Sequence, residues 1–66
     1  MRLLTKKETA ELLGYHPEHV MRLSRGGDFP RAIKLGQSQN CAVRFDATEI
    51  ESWVAARAAE REGVQP

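Results

Sequence analysis

The sequence predicts a small α+β domain, mainly α-helical, in which two closely spaced helices precede a two-stranded β-hairpin and a C-terminal helix. Three observations lead to this prediction. Apolar residues recur at helical spacing on both sides of Gly14. Two segments after residue 30 alternate apolar and polar residues, which is the period of a β-strand. A capping pattern beginning at Asp46 then opens a third apolar-periodic stretch.

Length and composition allow one domain, which we place at residues 1–62 with a disordered tail at residues 63–66. A chain of 66 residues leaves little room for a deep substrate pocket. Cys41 is the only cysteine, so no intrachain disulfide is possible and a reducing compartment fits. No apolar run approaches membrane-spanning length and no signal peptide is evident, so we expect a cytoplasmic protein without a membrane partner.

Charge is distributed unevenly, although the net charge is only +1. Residues 19–45 carry an excess of four positive charges, whereas residues 46–66 carry an excess of three negative charges. A basic middle and an acidic end favour one surface that faces a polyanion, although such a distribution also arises by chance.

The first helix is expected from residue 6 to residue 13. Thr5 and Glu8 have the spacing of a capping box, in which each side chain bonds the backbone N–H of the other residue. Gly14 occupies the position where a helix commonly ends in the left-handed conformation. The side of this helix expected to face the core carries Thr9, Ala10, Leu12 and Leu13.

The second helix follows at once, with His16 as its cap and Pro17 in its first turn. Two glycines after Arg25 are expected to end it. Val20 and Leu23 share its inner face. Its outer face is predicted to carry Glu18, Met21, Arg22 and Arg25. Two helices joined by about three residues, with a glycine in the turn, form a helix-turn-helix.

The hairpin is expected to consist of strands at residues 31–35 and 42–45, joined by a polar loop. Its inner face is predicted to carry Ile33, Leu35, Val43 and Phe45. Lys34 and Arg44 would then lie together on the outer face. Because like charges repel, this pair favours a bound anion, and the alternative is two solvated basic side chains.

The third helix is expected from residue 47 to about residue 61, capped by Asp46 with Glu49 three residues later. Its apolar stripe is predicted to carry Ile50, Trp53, Val54 and Ala58. We expect Trp53, the only tryptophan, to occupy the centre of the small core.

This order of elements resembles that of the AlpA-type prophage regulators and the related small phage excisionases, which share a MerR-like winged helix-turn-helix fold. The resemblance is carried by LLTKKETAELLG at residues 3–14, RLSRGGDFPRAIKLG at residues 22–36 and VRFDATEIESWV at residues 43–54. Its most specific parts are the Phe-Pro turn, the Leu-Gly pair before the wing, and the Arg-aromatic-acid step into the third helix. Two segments depart from the family pattern, the His-Pro-Glu-His start of the second helix and the long amide-rich wing loop.

The resemblance implies binding of double-stranded DNA, with the second helix in the major groove. Arg22 is the best candidate for a bidentate contact to guanine. Glu18 either accepts from a cytosine or pairs with Arg22 on the same helix. Lys34 and Arg44 are expected to meet phosphates. The predicted DNA-contacting residues are Lys6, Lys7, His16, Pro17, Glu18, Met21, Arg22, Arg25, Lys34, Gln37, Ser38, Gln39, Asn40 and Arg44.

The resemblance also implies a function. If the protein is an excisionase, several copies of it would coat and bend attachment-site DNA in the bacterial nucleoid. They would thereby help an integrase to excise a prophage. One domain contacts only a few base pairs, so we expect a monomer in solution that assembles cooperatively on DNA. The alternatives are an AlpA-type transcriptional regulator of prophage genes and a protein-interaction adaptor without DNA binding.

We expect no enzymatic activity, metal or cofactor. The only histidine and cysteine ligands are His16, His19 and Cys41, and their spacing suits no structural zinc site. We interpret the two histidines as cap and rim residues of the second helix. No nucleophile and base are arranged in a recognisable catalytic motif.

Overall fold

The computed structural model describes residues 1–62, and the tail predicted at residues 63–66 lies outside the described residues. Within the described part, three helices and three short strands form a winged helix-turn-helix, so the predicted fold class is confirmed. Strands β1, β2 and β3 span Leu3–Thr5, Ile33–Lys34 and Val43–Asp46, and helices α1, α2 and α3 span Lys6–Leu13, Pro17–Gly26 and Ala47–Glu62.

Helix α1 is held at both ends by the local bonds that the sequence predicts. The Thr5 hydroxyl accepts from the Glu8 N–H at 2.9 Å, and Glu8 Oε1 accepts from the Thr5 N–H at 2.8 Å. Gly14 follows the helix in the left-handed conformation, with φ of 74°. The Tyr15 N–H then donates to the Ala10 carbonyl at 2.9 Å, which closes the helix end. The chain therefore turns sharply and enters α2 after three residues.

Helix α2 begins and ends close to the predicted residues. The N–H of Glu18 donates to Nδ1 of His16 at 3.1 Å, so His16 is the cap, and Pro17 occupies the first turn. The helix ends at Gly26, one residue beyond the predicted end at Arg25, and Gly27 follows it in the left-handed conformation with φ of 96°. α2 packs against α1 through small and branched side chains, since Val20 and Ala10 lie in one buried cluster.

The hairpin is part of a three-stranded antiparallel sheet in the order β1-β3-β2. Strand β1 was missing from the sequence prediction, because three residues are too few to show an alternating pattern. Leu4 pairs with Phe45 and Thr5 with Arg44, so the start of α1 is joined directly to the wing.

The register of the hairpin contradicts the predicted assignment of its side chains to an inner and an outer face. Ile33 pairs with Arg44 and Lys34 pairs with Val43. Because directly opposed residues share a face of the sheet, Lys34 and Arg44 lie on opposite faces and not together. The loop at residues 35–42 pairs β2 with β3 in a register that differs by one residue from the predicted register. A shift of one residue moves every side chain of one strand to the opposite face of the sheet.

Helix α3 starts where β3 ends. Asp46 Oδ1 accepts from the Thr48 N–H at 2.9 Å, which confirms the predicted cap. The N–H of Ala47 donates to the Arg2 carbonyl at 2.9 Å, so the residue before β1 also satisfies the start of this helix. Ile50 is fully buried one turn later and fixes α3 against the sheet.

The core lies between the sheet and the three helices. Its largest fully buried side chains are Phe45, Ile50, Val20 and Thr9. The prediction that Leu12, Leu35 and Val54 face the core is wrong, since these side chains are 62%, 53% and 40% exposed. A domain this small has too little opposing surface to cover every apolar residue of a helical or strand pattern.

Trp53 lies at the edge of the core and not at its centre, which Phe45 occupies. The indole is half-buried, and its N–H donates to the Asp28 carbonyl at 2.7 Å. Its ring meets the Phe29 ring edge-on at 4.8 Å between centroids, and the Arg57 guanidinium lies 5.2 Å from its centroid. Trp53 therefore attaches the loop after α2 to α3.

Acidification is expected to weaken the cap of α1. The backbone N–H of Thr5 lowers the pKa of Glu8 below its ordinary value of 4.5, assisted by the Thr5 hydroxyl and by the charges of Arg2 and Arg44. Because the folded-state pKa is depressed, this contribution is complete above the unfolded value and is lost as the pH falls through the folded value. Thermal melts followed by circular dichroism at a series of pH values should therefore show a larger loss on acidification for wild type than for Glu8→Gln. Equal losses would contradict a role for this carboxylate.

Candidate nucleic-acid interface

The exposed face of α2 carries three charged side chains. Glu18, Arg22 and Arg25 are exposed, and their spacing of four and three residues places them in one stripe along the helix. Their predicted outward orientation is confirmed. Met21 differs, because it is half-buried and packs against the core, so its assignment to the outer face is wrong. It lies on the flank of α2 that is turned toward the hairpin.

Glu18 connects α2 to α1. Its Oε2 atom lies 3.6 Å from the Lys6 Nζ atom. The sequence left open a pair between Glu18 and Arg22, but in the described part of the chain Glu18 pairs with Lys6 and Arg22 has no ion pair. The two paired side chains are 40% and 67% exposed, so the pair contributes at most about 1 kcal/mol and is readily exchanged for contacts to DNA. Arg22 therefore has an unneutralised charge at the centre of the stripe.

The start of α2 presents a second group of predicted contacts. His16 is exposed, but its Nδ1 atom caps the helix, which leaves Nε2 for an outside partner. Pro17 is half-buried, and Lys7 is exposed on α1. His19 is half-buried and meets the Tyr15 ring edge-on at 4.6 Å between centroids, which agrees with its predicted place at the rim.

A groove separates α2 from the hairpin. Its volume is about 410 Å³, and it is lined by Met21, Ser24, Arg25, Arg31, Ala32, Lys34 and Val43. The three apolar side chains of this set are half-buried, the three basic ones are exposed, and no aspartate or glutamate belongs to it. The groove is therefore an electropositive opening with an apolar floor.

Arg31 is the groove residue that sequence reasoning missed. The alternating pattern placed it at the start of a strand, whereas β2 begins at Ile33 and Arg31 belongs to the preceding loop. The basic excess over residues 19–45 includes Arg31 and was the only sign of its involvement.

The segment that carries Arg31 is fixed on both sides. Ser24 is buried in α2, and its hydroxyl accepts from the Ala32 N–H at 2.9 Å. On the other side, the indole of Trp53 donates to the Asp28 carbonyl at 2.7 Å. The backbone around Arg31 is thus attached to α2 and to α3.

Ser24→Ala should loosen this segment. The substitution leaves the Ala32 N–H without a partner, and we expect a loss of about 1 kcal/mol. For a domain of this size the melting temperature should fall by about 4–8 °C. Ser52→Ala is the matched control, because Ser52 is an exposed serine within a helix. Circular dichroism melts that show the same melting temperature for both variants would contradict a stabilising role for the Ser24 bond.

The tip of the hairpin presents the four polar side chains predicted for it. Gln37, Ser38, Gln39 and Asn40 are all exposed. The tip is organised by Ser38, whose hydroxyl accepts from the Asn40 N–H at 3.1 Å and whose carbonyl accepts from the Cys41 N–H at 3.2 Å. Its backbone is therefore ordered by internal bonds, while the side chains of Gln37 and Gln39 form no hydrogen bond within the described residues.

The surroundings of Arg44 differ from those of Lys34. Lys34 is exposed at the groove, whereas Arg44 is half-buried and its guanidinium donates to the Val43 carbonyl at 2.8 Å. Arg44 shares a sheet face with Thr5 and lies near enough to Glu8 to lower its pKa. The two cations therefore do not form the shared anion site that the sequence predicted, and contact between Arg44 and DNA stays a prediction.

Comparison with known proteins agrees with this architecture. A family model described as a helix-turn-helix domain matches residues 3–58, from β1 into the second half of α3. The chain belongs to this helix-turn-helix family. The protein accordingly binds DNA in a sequence-specific manner. No curated protein matches the chain.

Within residues 1–62 of this helix-turn-helix protein, none of the helices combines the length and the hydropathy needed to cross a membrane. No group of three or more histidine, cysteine, aspartate or glutamate side chains in that part of the chain is arranged to hold a metal ion.

Proposed function

We propose that this helix-turn-helix protein is a phage or prophage excisionase, a recombination directionality factor that binds and bends attachment-site DNA. It acts without catalysis of its own and promotes excision by an integrase. The observation that carries the proposal is the cationic groove between α2 and the hairpin, which has basic side chains on both of its walls.

The groove favours bending of the duplex. An α-helix fits the major groove, and the hairpin tip reaches the backbone or the neighbouring minor groove. Cations on α2 and on the hairpin neutralise phosphates on one side of the duplex, and the unscreened phosphates on the far side then favour curvature toward the protein. Bending a short site costs of order 1–6 kcal/mol, which contacts on both sides of the groove offset.

The size of the interface favours several copies on one DNA. The outer stripe of α2 has only Glu18, Arg22 and Arg25, enough to contact a few base pairs. A protein with so short a target gains selectivity by binding adjacent repeats cooperatively or by acting with a partner. We propose that the protein is a monomer in solution, that it assembles along the attachment-site arm, and that the integrase is its partner.

A footprint with titrated salt tests this proposal. The protein is added to attachment-site DNA, to promoter DNA and to scrambled duplexes, and complexes are counted by their mobility. A ladder of protected short repeats with hypersensitive DNA between them supports cooperative coating and bending. A single compact site over a promoter supports an AlpA-type transcriptional regulator instead. Absence of salt-dependent binding to every duplex would contradict DNA binding and support a protein-interaction adaptor.

A further inference from the structure

We infer that the groove between α2 and the hairpin is a site for one backbone phosphate of DNA, held by Arg25, Arg31 and Lys34. The inference rests on the proposed DNA binding and adds the place where the strand crosses the protein. A single sugar-phosphate strand separates a major groove from the adjacent minor groove. If α2 lies in the first and the wing reaches the second, that strand crosses the groove between them.

Within the described residues, the three cations of the groove have no ion-pair partner. The pairs of Lys6 with Glu18 and of Arg57 with Glu60 include no groove residue. Three positive charges around one opening repel each other, and a bound phosphate relieves that repulsion. The half-buried apolar floor excludes part of the solvent and so strengthens the attraction.

The site is assembled from three different segments of the chain. Arg25 belongs to the last turn of α2, Lys34 to β2, and Arg31 to the loop that precedes β2. That loop is fixed to α2 by the bond from the Ala32 N–H to the Ser24 hydroxyl. The backbone that carries the three cations is therefore in place before DNA arrives, which lowers the entropy lost on binding.

The charge of the neighbouring cleft places the phosphate on the α2 side of Arg31. Arg31 also borders a larger cleft of about 740 Å³ toward α3. Asp28 and Glu49 line that cleft, and their carboxylates repel a phosphate. The groove beside α2 has cations alone among its charged lining residues.

A thermodynamic cycle on the full chain tests the inference. Arg31→Gln is compared with Arg57→Gln, which removes the same charge from α3, and melting temperatures verify that both variants are folded. Binding to specific and scrambled duplexes is measured by fluorescence anisotropy at several salt concentrations. Arg31→Gln should weaken binding to both duplexes about fivefold and reduce the salt slope by about 0.9, the value for one phosphate. Arg57→Gln should leave the affinity and the slope unchanged.

Neutral linkages identify the phosphate itself. In a series of duplexes, one phosphate at a time is replaced by an uncharged methylphosphonate. At the position of the bound phosphate, wild type and Arg31→Gln should bind with equal affinity, because Arg31 has lost its charged partner there. If Arg31→Gln binds less tightly than wild type at every position, or binds as wild type does to unmodified DNA, the inference is wrong. A third outcome would also contradict the inference. In it, inorganic phosphate at constant ionic strength shifts the backbone amide NMR resonance of Arg31, but no neutral linkage changes the binding of DNA. The site would then bind a free anion and not a phosphate of the DNA backbone. Failure of wild type to bind any duplex would instead contradict the proposed function.

Discussion

Arg22→Ala is expected to weaken binding to the specific DNA site by about 1–3 kcal/mol and to relax discrimination at one base pair. Arg22 is exposed at the centre of the α2 stripe, and the ion pair of Glu18 with Lys6 leaves its guanidinium unneutralised. A guanidinium so placed offers two parallel donors to the N7 and O6 acceptors of a guanine. Affinities for the specific duplex and for single-base variants, measured at one salt concentration, give the discrimination directly.

Two further variants separate the geometry of Arg22 from its charge. Arg22→Lys keeps the charge and loses the planar fork, so discrimination should fall while the salt slope is preserved. Lys34→Ala should weaken specific and scrambled duplexes alike, because a phosphate contact carries no sequence information. Unchanged discrimination in Arg22→Ala would mean that α2 does not contact the bases through this residue.

Phe45→Ala is expected to remove a large part of the free energy of unfolding of the domain. Phe45 is fully buried in the central strand, and its ring meets that of Phe29 edge-on at 6.0 Å between centroids. Removing a buried phenyl ring costs about 3–5 kcal/mol. A domain of this length has only roughly 3–10 kcal/mol of total stability. Urea denaturation followed by circular dichroism measures the loss.

The binding behaviour of Phe45→Ala should differ from that of Arg22→Ala. An unfolded domain loses affinity for every duplex together, and discrimination among duplexes does not change selectively. Leu35→Ala is the matched control, since Leu35 is 53% exposed and its truncation should change stability by about 0.5 kcal/mol at most. A Phe45→Ala protein as stable as Leu35→Ala would contradict the described core.

The parts of the fold that the sequence predicts are those with local causes. Thr5, His16 and Asp46 each accept from a backbone N–H two or three residues further along, so their sequence context is sufficient to predict the caps. The exposed stripe of α2 follows from helical periodicity in the same way. For the candidate interface, this local information correctly oriented Glu18 and Arg22.

The parts that escaped prediction depend on partners far along the chain. Pairing of β1 with β3 joins residues from opposite halves of the sequence, and the register of the hairpin depends on a loop with no short turn motif. The faces of Lys34 and Arg44 were therefore assigned wrongly. Arg31 was missed because its place in the groove requires the bond between Ser24 and Ala32, which no periodic pattern reveals.

The central position of β3 also governs how the molecule opens. Detaching this strand would free β1, the wing and the start of α3 in one event, because each is bonded to β3 or continues from it. The helix-turn-helix is enclosed in a loop of roughly forty residues that the pairing of β1 with β3 closes, and detaching β3 would restore the chain entropy of that loop in a single step. The amide protons that are hydrogen-bonded within the middle of α1 and α2 should therefore exchange with solvent mainly through global unfolding. Susceptibility of the free protein to proteases would then follow its overall stability, and binding to DNA would protect the whole domain at once.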